Sequence, residues 1–225
     1  FGDGWLYQVT YTARELPTLK QSFYLYPDND YLLTEFTLES KKEIQSNRMA
    51  PVDIGEMPPL LRPGNNNRAL FMPFDNDKWI RYQAHPLTCD RLTSYEVTAI
   101  FNNDDRNGLI IGSVEHDNWK TGITIGKGTK DNAGSLVCYG GVADELTRDI
   151  KSHGVLKGKK IKSPKIFVGV FSNWCDGLQA YARANAVIAP PKTWEKAVPF
   201  GWNSWGALQF NLTYLKALEV SDYYK

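Results

Sequence analysis

Two short runs in this chain carry side chains able to act on a ligand. Phe200-Gly201-Trp202-Asn203-Ser204-Trp205-Gly206 sets two indoles around an amide and a hydroxyl, and Asp75-Asn76-Asp77-Lys78-Trp79 gathers two carboxylates, an amide, a cation and an indole. An indole offers a flat apolar face with an N–H at its edge, which suits stacking combined with hydrogen bonding. Carboxylates adjacent in sequence make no acid–base pair unless they converge across a pocket. Glu219 and Asp222, the acids that follow the tryptophan run, fall on a predicted helix and face away from it. No catalytic residue is therefore assigned, and the two runs are read as binding elements.

Other polar groups point to structure rather than chemistry. His116-Asp117-Asn118-Trp119 reads as a turn holding a hydrogen-bonded histidine, and His85 and His153 have no partner at metal-ligand spacing. Neither a metal nor a cofactor is expected. Gly126-Lys127-Gly128-Thr129 lacks the length of a phosphate loop and reads as a hairpin turn. Cys89, Cys138 and Cys175 are odd in number and far apart, so they are read as buried free thiols. Asn211-Leu212-Thr213 fits a glycosylation triplet, but it lies in a predicted helix.

The elements that must position these groups are mostly strands. Trp5 to Tyr11, Tyr31 to Glu39, Glu96 to Phe101, Gly108 to Val114, Leu136 to Val142 and Lys165 to Phe171 are short apolar or alternating runs. Turn clusters such as Pro27-Asp28-Asn29-Asp30 separate them. Many strands at this spacing predict a large antiparallel β-sandwich. Lys157, Lys159, Lys160, Lys162 and Lys165 read as the solvated edge of a hairpin, where lysine guards exposed strands. After Phe171, Ser172 or Asn173 can cap a helix through Trp174, Leu178, Tyr181 and Ala182 towards Val187. Ala189-Pro190-Pro191 must end it, since proline cannot continue the hydrogen-bond ladder. Beyond it, Val198 to Trp205 is strand-like, and Leu212, Leu215, Leu218 and Tyr223 recur at near-helical intervals.

Composition limits the class of protein. Of 225 residues, 42% are hydrophobic and 23% charged, the balance of a folded globular chain. Twenty-six basic against 25 acidic residues give a net charge of +1, so neither nucleic acid nor an anionic membrane is an expected partner. No apolar run approaches the roughly 18 residues of a membrane-spanning helix. The chain opens on Phe1-Gly2-Asp3-Gly4-Trp5, without methionine or a signal peptide, as if inside a longer polypeptide; a secreted or periplasmic origin stays open.

Pro199-Phe200-Gly201-Trp202-Asn203-Ser204-Trp205-Gly206 resembles the first barrel strand of the α-galactosidase-like glycoside hydrolases, families 27 and 36. The sandwich before it, with the Leu70-Phe71-Met72-Pro73-Phe74-Asp75-Asn76-Asp77-Lys78-Trp79 segment, resembles family 36 in particular. The resemblance implies a β-sandwich domain with a C-terminal helix over residues 1–189, a linker over 190–199, and the truncated start of a (β/α)8 barrel over 200–225. It implies a parent enzyme that hydrolyses α-galactosides or related α-glycosides with retention, through two carboxylates roughly 5 to 5.5 Å apart. Those carboxylates come from later barrel strands, so this chain is expected to be inactive alone. Trp205 matches the family position that packs on the sugar, Asn203 is placed to orient a hydroxyl, and Asp77 and Trp79 to close the sugar pocket from above. Gly206 departs from the family, which often carries an acidic or amide residue there. Carbohydrate is the expected partner, with a homo-oligomer possible. Two other readings stay open: a stand-alone lectin-like carbohydrate-binding module, and a structural interaction domain.

Overall fold

A computed structural model of the chain describes residues 1–64, 66–74, 80–143, 154–195, 197 and 201–224. Thirteen strands are formed among the described residues. In chain order they are β1 (Trp5–Tyr11), β2 (Thr18–Leu25), β3 (Tyr31–Ser46), β4 (Met49–Ile54), β5 (Asn67–Phe71), β6 (Gln83–Pro86) and β7 (Leu92–Tyr95). There follow β8 (Val97–Asn102), β9 (Gly108–Ser113), β10 (Thr121–Gly126), β11 (Ser135–Gly140), β12 (Leu156–Lys162) and β13 (Ile166–Phe171). The larger sheet runs β1-β2-β3-β13-β9-β8-β5-β6, with β12 also on β3, and the smaller runs β4-β11-β10-β7. Every ladder is antiparallel. The expected antiparallel sandwich is what forms.

Alternation along the central strands builds two cores on the two faces of the large sheet. Ile100, Leu109, Ile111 and Ile166 point to the smaller sheet and meet Ile123, Ile125, Leu136 and Cys138. Ala99, Phe101, Ile110 and Phe167, one residue out of phase, point the other way to α1 (Trp174–Ile188). A third, smaller cluster of Met49, Trp119 and Ile161 packs with Phe36, Leu38 and Ile44.

β3 continues past the predicted Glu39 to Ser46, because β12 pairs with it from Thr37 to Ser46. β13 then pairs with Tyr31 to Thr34 on the same side of β3, so β12 and β13 lie end to end. Ser163 fills the junction: its N–H donates to Phe36 O at 2.9 Å, and its Oγ accepts from Phe36 N–H at 2.8 Å.

α1 is capped by Asn173, whose side chain accepts from Cys175 N–H at 3.2 Å, and Asp176 sits in the first turn where the helix dipole favours an anion. The helix lies very close to the sheet. A Cβ on Gly177 would stand 2.6 Å from Ile110 Cγ1, and one on Gly112 would stand 2.8 Å from Tyr181 Cε2. Tyr181 crosses this contact to donate its hydroxyl to Ser113 O at 2.6 Å, and burial pushes its pKa up.

Two polar clusters tie strands to their neighbours. Glu35, only 6% exposed, accepts from Tyr24 Oη at 2.6 Å and faces Lys162 Nζ at 3.4 Å and Lys165 Nζ at 3.8 Å. Both lysines also meet Glu115, at 2.9 and 3.7 Å. Burial and the Glu35 carboxylate together raise the Tyr24 pKa. Burial opposes the charge on Lys162, but the Glu115 and Glu35 carboxylates outweigh it and hold its pKa above the ordinary value. The lysine run is thus only partly a solvated edge. Lys157, Lys159, Lys160 and Lys162 are exposed, but Lys162 and the half-buried Lys165 also neutralise a buried acid.

The second cluster centres on His116. Its Nδ1 lies 2.9 Å from Glu96 Oε2 and its Nε2 2.7 Å from Asn185 Oδ1 on α1. Asn185 gives its own N–H to Tyr181 O at 3.0 Å, so the amide oxygen faces the ring and both ring nitrogens donate. Glu96, more than any other group, raises the His116 pKa. The expected hydrogen-bonded histidine is what the fold contains.

The chain divides into two compact units, Phe1–Pro190 and Pro191–Lys225. In the second, residues 201–205 are irregular rather than part of the strand expected over Val198 to Trp205. A strand exists through its ladder, and the described residues of this unit hold no other strand to pair with. A 3₁₀ turn (Gln209–Asn211) leads into α2 (Tyr214–Tyr223), capped by Thr213 Oγ1, which accepts from Lys216 N–H at 3.4 Å. Leu212, Leu215 and Leu218 are 43%, 74% and 43% exposed.

Candidate functional site

A groove of about 470 Å³ opens where the edges of the two sheets approach. Phe71 ends β5, His85 comes from β6, Arg91, Leu92 and Thr93 lead into and form β7, Tyr139 comes from β11, and Ala143 follows it. Its size falls within the roughly 300 to 1,000 Å³ of small-molecule sites. The His85 ring meets Phe71 edge-to-face at 5.8 Å, Arg48 Cζ lies 4.5 Å over the Tyr139 ring, and the Thr93 and Thr124 hydroxyls are 3.0 Å apart. Gly122 makes room for this arrangement. It pairs with both Tyr95 and Tyr139, and a Cβ there would stand 3.1 Å from Tyr139 Cζ and 2.8 Å from Val142.

The described lining offers ring faces, a guanidinium, an imidazole and a hydroxyl, but no carboxylate. That set can stack on a ligand and donate hydrogen bonds to it, and among the described residues it does not include the paired acids typical of glycoside hydrolysis. Sequence reading missed Arg91, Thr93 and Tyr139. The alternation in Thr93-Ser94-Tyr95 was the available cue, but a four-residue strand is too short to stand out by period.

The residues expected to bind ligand are distributed differently. Asp77 and Trp79 lie outside the described residues, as does the whole of 75–79. Phe74, just before them, leans on Tyr95 at 5.1 Å, with Lys120 Nζ 5.5 Å above its ring. Asn203 and Trp205 are brought together in the second unit. Asn203 Oδ1 accepts from Trp205 N–H at 2.8 Å, the local turn that asparagine forms with backbone two residues on. That turn is closed further by Ser204 O, which accepts from Leu208 N–H at 2.8 Å. The Trp205 indole packs edge-to-face on Phe210 at 5.0 Å and remains 56% exposed, so one ring face stays open.

All three cysteines are free, and only Cys138 is fully buried, which pushes its pKa well up and makes it inert at neutral pH. Trp119, raised as part of a ligand run, is a core residue whose indole N–H donates to Lys162 O at 2.8 Å.

No known protein family and no curated protein matches the chain in sequence. Its backbone, however, follows that of the alpha-galactosidase from Lactobacillus brevis with a TM-score of 0.54 at 13% identity, over 98% of this chain and 30% of that one. The fold is α-galactosidase-like. The galactosidase domain of an alpha-galactosidase-sucrose kinase is also similar, with a TM-score of 0.48 at 10% identity, over 82% of this chain and 29% of that one. This chain thus spans under a third of the length of either protein. At such identity the likeness is one of fold.

Proposed function

We propose that this chain is a non-catalytic portion of a retaining glycoside hydrolase acting on α-galactosides or related α-glycosides, where the sandwich shapes the entrance to the sugar site. One observation carries the reading: an α-galactosidase-like backbone over 98% of the chain that accounts for only 30% of a solved α-galactosidase. The groove supports it, because the stacking faces and N–H donors of its described lining suit a contributor to sugar binding. In this reading Trp205 stacks on the C–H face of a sugar ring, and Asn203, its oxygen held by the turn, presents its N–H groups to a hydroxyl. Asp77 and Trp79 are further candidate sugar-binding residues of this reading. The nucleophile and acid come from sequence beyond these residues.

The test is an aryl α-galactoside assay on the purified 225-residue chain, paired with sequencing of the natural reading frame past Lys225. No turnover, with a continuing frame that carries strand-end aspartates, is the expected result; robust turnover by the chain alone overturns the assignment. The groove's lining also favours a second reading, a self-contained carbohydrate-binding module. Calorimetry separates the two. Saturable heat with α-galactosides that is lost in Tyr139→Ala supports the module, and no heat at millimolar sugar removes it.

A further inference from the structure

The loop between β9 and β10 carries His116, whose ring is fixed from two sides by elements distant in sequence. Glu96 holds one side. It is the single residue between β7 of the smaller sheet and β8 of the larger, and its φ of 63° is a left-handed conformation uncommon outside glycine. Its N–H donates to Thr121 O at 2.9 Å and its O accepts from Ser113 N–H at 2.8 Å. Its side chain is held as firmly, since Oε1 accepts from Thr121 N–H at 3.1 Å while Oε2 faces His116 Nδ1. Asn185 of α1 holds the other side, its amide oriented by the bond from Nδ2 to Tyr181 O.

This arrangement is complete only for the charged ring. An imidazolium donates from both nitrogens, whereas the neutral ring keeps one N–H. An ionised carboxylate can only accept, so the proton that remains stays on Nδ1 against Glu96. Nε2 then turns a lone pair towards Asn185 Oδ1, 2.7 Å away, and two acceptors stand face to face. Flipping the amide brings no relief, because it aims Oδ1 at Tyr181 O instead. A second effect has the same sign. The last turn of α1 contains no basic residue, and the imidazolium beside Asn185 supplies the positive charge that the carboxyl end of a helix favours.

We propose that His116 is a pH-operated latch on the end of α1: protonated, it ties Asn185 to the β7–β8 corner, and on giving up its Nε2 proton to water it lets the helix fray from Asn185 to Ala189. The helix before Asn185 stays seated, because Gly177, Ala180 and Ala184 are buried against the sheet. Glu96 is the charge that faces the ring, and Asp117 of the same loop adds to its effect. Together they hold the His116 pKa up, so the latch opens above the ordinary histidine value. The other ionisable groups described nearby do not compete. Glu115 turns to Lys162 and Lys165, Lys120 lies over Phe74, and Asp176 and Arg183 of α1 line a separate cleft with Asp28 and Tyr31. Burial keeps Cys138 and Tyr181 protonated. The inference is independent of the sugar reading, since it rests on contacts made within this chain.

Hydrogen exchange on the 225-residue chain between about pH 5.5 and 8.5, corrected for the intrinsic pH dependence of amides, tests it. Protection at residues 185–189 should fall about two- to fivefold as pH rises, with the midpoint of the His116 titration read by NMR, while β9 and β13 keep theirs. The same spectra should show the neutral ring protonated on Nδ1. His116→Gln should remove the pH dependence and Asn185→Ala most of it. Asn185→Asp, which sets a full negative charge against the ring, should move both midpoints to higher pH together. Circular dichroism confirms that the variants fold. Protection that stays flat through the His116 titration overturns the proposal, as does a pH response that persists in His116→Gln. A neutral ring protonated on Nε2 overturns it too, because the two acceptors would then never meet.

Discussion

Gly177→Ala opposes two effects of known sign in one helix. The helix interior favours alanine over glycine by about 1 kcal/mol. Against that, the new methyl would sit 2.6 Å from Ile110 Cγ1 and 2.6 Å from Phe171 Cδ2. Ile110 has no exposed surface and cannot retreat, while the half-buried Phe171 ring lies stacked at 6.3 Å and 5° on the buried Phe167. Overpacking of this kind costs about 1 to 3 kcal/mol, and two close contacts, one of them on a fully buried side chain, put it at the upper end. The net expectation is a loss of about 1 to 2 kcal/mol, or a fall in Tm of roughly 2 to 8 °C for a chain of this size. Urea unfolding followed by tryptophan fluorescence reads it, because Trp174 lies tilted against Phe101 at 4.4 Å beside the contact. The control is Gly55→Ala, where a Cβ meets nothing within 4 Å and stability should move by no more than about 0.5 kcal/mol. A Gly177→Ala protein as stable as wild type would refute the claim that helix and sheet meet too closely for a methyl.

Glu35→Ala should cost about 2 to 4 kcal/mol by urea denaturation, since it strips Tyr24, Lys162 and Lys165 of a buried acceptor, although both lysines retain Glu115. Tyr24→Phe, which removes one hydroxyl, should cost about 1 to 2 kcal/mol, and a cost equal to that of Glu35→Ala would mean the lysines take no part. His116 has its pKa raised in the folded chain, so its contribution is complete below the ordinary histidine value and fades as pH rises through the folded one. Comparing wild type with His116→Gln at pH 5.5 and 8.5 should therefore show an advantage at the lower pH only, below about 1 kcal/mol given the exposure of the pair. An advantage that grew with pH would contradict the two-donor assignment of the ring.

Much of the sandwich was legible because central strands are buried on both faces and read as apolar runs with sharp ends. β1 and β9 start where the pattern starts, and Asn173 caps α1 as its residue type implies. What escaped was set by tertiary pairing. The charged Lys41-Lys42-Glu43 stretch of β3 reads as loop, yet β12 draws it into the sheet. Lysine is ordinarily an edge residue, and nothing in the local sequence shows that Lys162 and Lys165 face a buried Glu35 some 130 residues earlier. The backbone of the tryptophan run is a turn over its described residues, because a strand pattern predicts extended chain and not the neighbour that would pair with it. The groove was illegible for a related reason, since its lining comes from four strands and their flanks with no common motif.

The end-to-end seating of β12 and β13 on β3 sets a schedule for the protein's manufacture. Phe36 finds Ser163 across 127 residues of chain. At the roughly 5 to 20 residues per second of synthesis, β3 therefore waits about 6 to 25 s on the ribosome with one flank bare. During that interval β1, β2 and β3 can form a three-stranded meander, but the sheet cannot close until β13 emerges. Nascent chains arrested just before residue 156 should expose the bare side of β3, and should be the species that chaperones hold. Slow codons placed after β13 would give the sandwich time to close, whereas pauses between β3 and β12 would prolong the vulnerable interval.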